Sequence, residues 1–212
     1  MAANPTPELS LPEQVASQAE FIVNHLRQTD YQFIEHIDVE RGVCDCDCNG
    51  FVGFVLDRYA HHHYKMIPKE PNQPRPRAFK YYEFFTSPTL ESTGGWQRIH
   101  SLPEARRGDI LAWRFPKIDI EEGKNTGHVV FVAETPALID PGTFAVRVYD
   151  SASGPHFDDT RGNGAGQFHS GVGSGFINFK IDERGCPKSF QFAPSDPFRT
   201  LPIAIARLEP LP

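Results

Sequence analysis

From residue 108 onward the chain is written in short β-branched and aromatic runs separated by turn formers. That rhythm restricts the second half to an antiparallel sheet. "RRGDILAWRF" enters a first strand through a Gly-Asp turn. "HVVFVAE" and "FAVRVYD" follow, joined by the turn-forming "TPALIDPGT". "GFINFKID", "ERG" and "CPKSFQF" read as a second hairpin, and "PIAIARL" as a final strand. "RGNGAGQFHSGVGSG" lacks the strand-then-helix context of a phosphate loop and reads as a flexible loop.

The first half reads differently. Residues 1–10 read as a disordered leader. In "PEQVASQAEFIVNHLRQ", Val15, Ala19, Ile22, Val23 and Leu26 fall near helical spacing, with Pro12 in the first turn. Phe51, Val52, Val55, Leu56 and Tyr59 form a second helical stripe, and Asp47 stands before it as an N-cap. "HHHYKMIPKEPNQPRPR" reads as a solvated surface loop and "AFKYYEFFTS" as a short helix, both inside an insertion over residues 61–107. Trp96, beside Gly94 and Gly95, reads as core or as the cap of a groove. Helices first and an antiparallel sheet second make an α+β domain over residues 1–212.

The sheet pattern carries a site. In "HVVFVAE", His128 shares a face with Val130 and Val132; in "FAVRVYD", Asp150 shares one with Phe144, Val146 and Val148. Symmetric closure near Ile139 sets His128 opposite Asp150, where a carboxylate orients an imidazole and stabilises its charged form. A purely structural His–Asp pair competes with that reading.

Four cysteines, Cys44, Cys46, Cys48 and Cys186, are too few and too clustered for a disulfide scaffold. Cys48 follows Asp47 at the first turn of its helix, where free N–H groups and the helix dipole favour thiolate. Gly50 and Gly53 permit close backbone approach. The alternative for Cys48 is a buried inert thiol. Cys44 and Cys46 read as bystanders, because Cys-x-Cys-x-Cys is not the usual zinc spacing. A metal site joining the cysteine cluster to His61, His62 and His63 is the lesser alternative. Cys186 reads as packing. The loop "DSASGPHFDDTR" brings Ser151 and His156 next to Asp150, either lining a cleft or solvated.

"DCNGFVGFVL" resembles the "DCSGF" nucleophile motif of the NlpC/P60 branch of papain-like cysteine peptidases. "RRGDILAW" resembles the family's following Gly-Asp strand, and "TGHVVFVAE" its histidine strand; the likeness covers residues 40–155. The resemblance implies a papain-like fold with the nucleophile helix packed on an antiparallel sheet. It implies Cys48 as nucleophile, His128 as general base and acid, and Asp150 as the residue orienting the imidazole. Substrate contacts would come from Asp47, Asn49, Tyr31, Ser151 and His156. Asn49 stands where serine is common, the 61–107 segment is longer than the usual connection, and Tyr31 is the best match to an upstream tyrosine. The implied activity is hydrolysis of an amide or peptide bond in a peptidoglycan fragment, near a D-amino acid, without metal or cofactor.

Such a substrate implies a periplasmic or secreted protein, yet "MAANPTPELSLPEQ" lacks the basic start and apolar middle of a signal peptide. A cytoplasmic location is the alternative. The net charge of −6 offers no basic stripe for nucleic acid, and no apolar run is long enough to span a bilayer. A non-catalytic binding module on the same fold is the alternative to the enzyme.

Overall fold

A computed structural model describes residues 9–91, 94–117, 125–162 and 168–211. Residues 1–8 of the expected leader and 163–167 of the glycine-rich loop fall outside them. Helix α1 (Leu11–His25) buries Val15, Ala16, Ala19 and Ile22, the stripe its spacing announces, and carries proline at its start. A small hairpin follows, β1 (His36–Asp38) and β2 (Val43–Asp45). Helix α2 (Cys48–Tyr59) is capped by Asp47 and buries Phe51, Val52, Val55 and Leu56. Then come α3 (His61–Lys65), α4 (Ala78–Phe85) and β3 (Trp96–Ile99).

The remaining strands are β4 (Ile110–Arg114), β5 (Gly127–Val132), β6 (Ala137–Asp140), β7 (Thr143–Ala152), β8 (Gly171–Ile181), β9 (Pro187–Gln191), β10 (Arg199–Thr200) and β11 (Ile203–Leu208). All main-sheet pairings are antiparallel, in the order β10-β9-β8-β7-β5-β4-β11-β3, with β6 paired to β7. The molecule is therefore α+β with a large antiparallel sheet. No helix among the described residues is long and apolar enough to cross a membrane.

Alternation along the strands builds two cores. Ala112, Val129 and Phe131 face α1, α2 and α4 and pack with Cys48, Phe51 and Tyr81. Trp113, Val130, Val132, Val148 and Phe179 face the other way. The rings of Trp113 on β4 and Phe190 on β9 lie 4.6 Å apart. These strands are four places apart in the sheet, roughly 19 Å if it were flat. The sheet must therefore curl around this second core. Each fully buried large side chain there contributes about 1.5–3 kcal/mol.

Several local expectations change. "TPALIDPGT" is not only a turn: it contains β6, and the tight turn falls between Asp140 and Thr143, where Gly142 has φ +72°. "GVGSG" opens β8 rather than a loop. The triple histidine forms α3; His61 and His62 are exposed, but His63 is buried, with Nε2 bonded to Glu209 O at 2.8 Å. The 61–107 segment supplies the edge strand β3 and the buried Tyr81, Phe85 and Trp96. Trp96 is core. Cys186 is half-buried.

β5 starts at Gly127, whose φ is +139° and whose added Cβ would sit 1.9 Å from Trp113 O. Only glycine fits that crossing. Gly127→Ala is expected to cost about 3 kcal/mol or more, from backbone strain and overpacking together. A urea titration checks this, and an unchanged midpoint would contradict it.

Candidate active site

The start of α2 is fixed by its cap. Asp47 Oδ1 accepts the Gly50 N–H at 2.7 Å. Gly50 allows the chain to cross itself, since a Cβ there would lie 2.8 Å from Cys46 Cβ. Asp47 also meets Arg75 Nη2 at 3.0 Å, and Arg75 Nη1 meets Glu35 Oε1 at 2.8 Å. The proline-rich segment is thereby pinned across the start of α2.

Cys48 is 2% exposed. Burial pushes its thiol well above the usual value and the Asp47 carboxylate adds to this, outweighing the Val129 and Asn49 N–H groups that favour thiolate. Burial and Asp47 thus oppose the thiolate that the helix terminus favours. The helix terminus does supply donors, but a nearly dry site beside a carboxylate costs the anion more than they return.

Asp150, 0% exposed, is the other pole. Its Oδ2 accepts from His128 Nε2 at 2.6 Å and from His156 Nε2 at 2.8 Å. Arg161 Nη1 lies 3.2 Å from Oδ1. Burial alone would raise the carboxyl pKa; His156, Arg161 and the His128 hydrogen bond prevail and hold it well below the usual carboxylate range. The "DSASGPHFDDTR" loop is thus not simply solvated, since His156 and Arg161 are buried.

The His128–Asp150 contact forms in a register other than the symmetric one. Phe131 pairs with Tyr149 and Val132 with Val148. Extended back, this sets His128 opposite Ala152 and diagonal to Asp150. A long side chain spans such a diagonal.

Two clefts meet here. One, of about 380 Å³, is lined by Cys48, Asp47, Asn49, Arg75 and Thr126. The second, of about 300 Å³, is lined by His128, His156, Trp113 and Phe192. Tyr31 and Asn125 line both. Burial first, then Cys48, Asp47 and Asp150, push the Tyr31 hydroxyl pKa up, so the phenol stays protonated as a donor. Asn49 Nδ2 donates to Asp47 Oδ2 at 3.2 Å at the rim of the first cleft. Ser151 faces neither cleft: its hydroxyl donates to Cys46 O at 2.6 Å and ties β7 to the cysteine segment.

Cys48 and His128 approach from opposite faces of the sheet. Cys48 packs with Val129 and Phe131, whereas the His128 ring lies 5.2 Å from Trp113 and 5.6 Å from Phe192. No hydrogen bond joins the two residues, and His128 Nδ1 has no partner among the described residues. With Nε2 held by Asp150, Nδ1 is the nitrogen free to exchange a proton.

One set of metal-type donors converges: His128, Asp150 and His156 offer ligand atoms within 4.8 Å of one another. Both imidazoles already hydrogen-bond to Asp150 Oδ2, and the Arg161 cation beside Asp150 opposes a dication. Cys44 and Cys46 are buried free thiols with their sulfurs 3.8 Å apart. Among the described residues the three clustered cysteines do not converge as a ligand set. His156 and Arg161 as partners of Asp150 went unread in the sequence, because an irregular loop has no periodicity from which burial can be inferred.

Two outcomes follow from these charges. Asp47→Asn keeps a capping oxygen but removes the anion beside Cys48, so iodoacetamide should alkylate Cys48 roughly two- to tenfold faster at neutral pH. Peptide mass spectrometry checks this; an unchanged or slower rate would contradict it. Asp150 has a folded pKa below its unfolded value of about 3.9. Its contribution is therefore complete above that pH and lost as pH falls toward the folded value. Asp150→Asn removes the anion that His128 and His156 share and leaves Arg161 paired with Asp159; it should cost about 1–3 kcal/mol near neutrality, with a flatter loss of stability below about pH 4 than the wild type. Urea titrations across pH test both the cost and the flattening.

Searches against protein-family models and curated proteins find no match to this chain.

Proposed function

We propose that the protein is a cysteine hydrolase of papain-like, NlpC/P60 type that cleaves an amide or peptide bond. The observation that carries this is the 2.6 Å bond from His128 Nε2 to buried Asp150, which leaves Nδ1 without a partner among the described residues, in a cleft that shares Tyr31 and Asn125 with the one holding Cys48. The helices-first, sheet-second layout and the helix-terminal cysteine also support it.

The chemistry would run as follows. The Cys48 S–H proton passes to His128 Nδ1 as sulfur bonds to the substrate carbonyl carbon. The Cys48 N–H, which has no acceptor among the described residues, and the Tyr31 hydroxyl, which lines the same cleft, would donate to the developing oxyanion. The C–N bond breaks, and His128 hands its proton to the departing amine. Water then adds to the thioester, His128 takes its proton, and the Cys48 thiol and a carboxylic acid are released. Asp150 fixes the ring and stabilises the imidazolium.

The substrate would be a peptidoglycan peptide and the location periplasmic or extracellular; both rest on the resemblance. A raised resting thiol suits this scheme only if His128 takes the proton as substrate binds, because apo sites often have long catalytic contacts. The same buried, protonated thiol favours the second reading, a binding module with an unused cysteine.

Digestion of purified peptidoglycan with product analysis tests the proposal. Cys48→Ala and His128→Ala, checked for folding by circular dichroism, are each expected to lower turnover at least about 10³-fold. Full activity in folded Cys48→Ala would overturn the assignment, and an inactive wild type would favour the binding module.

A further inference from the structure

The second cleft contains buried polar groups that the proposed chemistry does not use. Trp113 Nε1 and His156 Nδ1 are both buried and have no hydrogen-bond partner. Trp113 is 0% exposed, and the His156 side chain is 1% exposed. Leaving two such atoms unmade is costly, on the order of 1–3 kcal/mol each. His156 Nε2–H is committed to Asp150, so in the neutral ring its Nδ1 is an acceptor without a donor. The indole N–H is a donor that wants an acceptor. Both side chains line one cleft, with Phe192 stacked on His156 at 5.2 Å and 6°.

The mouth of that cleft adds charge of both signs. Arg199 on β10 and Asp196 line it, and neither side chain makes an ion pair among the described residues. Tyr31 and Asn125 connect it to the Cys48 cleft, so a ligand crossing them reaches both. His128 lines this second cleft. In an amide cleavage run by His128, the departing amine is protonated on this side.

We propose that the second cleft is a binding site for an α-amino acid, and that it receives the amine-bearing product of the cleaved substrate. An α-amino acid offers everything the walls lack: acceptor oxygens for the indole N–H, N–H donors for His156 Nδ1, an anion for Arg199 and a cation for Asp196. The aromatic wall of Trp113 and Phe192 takes its apolar side chain. The substrate class is then a peptide whose residue after the scissile bond carries a free carboxylate. The product role rests on Cys48 and His128 acting as proposed; amino-acid binding does not.

The chain has two tryptophans, and their indole N–H signals give a direct readout. Trp96 Nε1 donates to His63 O at 3.3 Å and serves as the internal reference. Uniformly ¹⁵N-labelled protein is titrated with alanine, with alaninamide, which lacks the anion, and with propionate, which lacks the ammonium. Alanine is expected to shift the Trp113 indole signal saturably and leave that of Trp96 in place, and to bind more tightly than either analogue. Arg199→Gln, on the exposed rim, should weaken alanine binding about tenfold and leave alaninamide unchanged. No saturable Trp113 shift with alanine, a parallel shift of both indoles, or equal loss for alanine and alaninamide in Arg199→Gln would each overturn the site. A hydrolase that turns over without binding alanine sinks the subsite alone. Alanine binding by a protein without turnover keeps the amino-acid site and sinks the hydrolase reading.

Discussion

The buried carboxylate of Asp150 holds one end of the molecule together. One oxygen joins β5 through His128 and the following loop through His156, and the other faces Arg161. Arg161 in turn bonds Gly171 O at 3.0 Å and Asp159 at 2.8 Å, reaching β8. Three elements of the curled sheet thus converge on a single anion. A buried charge of this kind is tolerated only with its partners in place, so packing and imidazole orientation become one constraint. The carboxylate that would orient a catalytic histidine is also the one the loop needs in order to fold down.

The thiol end works against that order. The helix start supplies N–H donors, while Asp47, needed to cap the helix and to anchor Arg75, is an anion next to the sulfur. Burial adds to its effect. Local structure and nucleophile activation therefore pull in opposite directions, and a proton acceptor must come from elsewhere. In the proposed chemistry that acceptor is His128 Nδ1, which lines the adjoining cleft and has no partner among the described residues.

Period-two alternation made His128 and Asp150 legible as face-mates of buried valines, and the cap and stripe of α2 were legible from Asp47 to Tyr59. The register was not, because "TPALIDPGT" folds into β6 and moves the tight turn away from the middle of the loop. The pair survives that error because an imidazole spans a diagonal. The burial that opposes a Cys48 thiolate was not legible, because a helix-terminus argument is local, whereas burial is set by β5 and the proline-rich segment. No spacing in the sequence fixes Tyr31, and the fold brings it to both clefts. His156 and Arg161 lie in a loop whose burial depends on Phe192 and β8, far along the chain.

The central claim is that Cys48 becomes nucleophilic by passing its proton to the histidine that Asp150 holds. The most direct measurement is the pH dependence of Cys48 alkylation in the wild type and in folded His128→Gln. If the claim holds, the wild-type profile carries an inflection below the one set by the thiol, and the variant loses that inflection and rises only with the thiol. Superimposable profiles would contradict it.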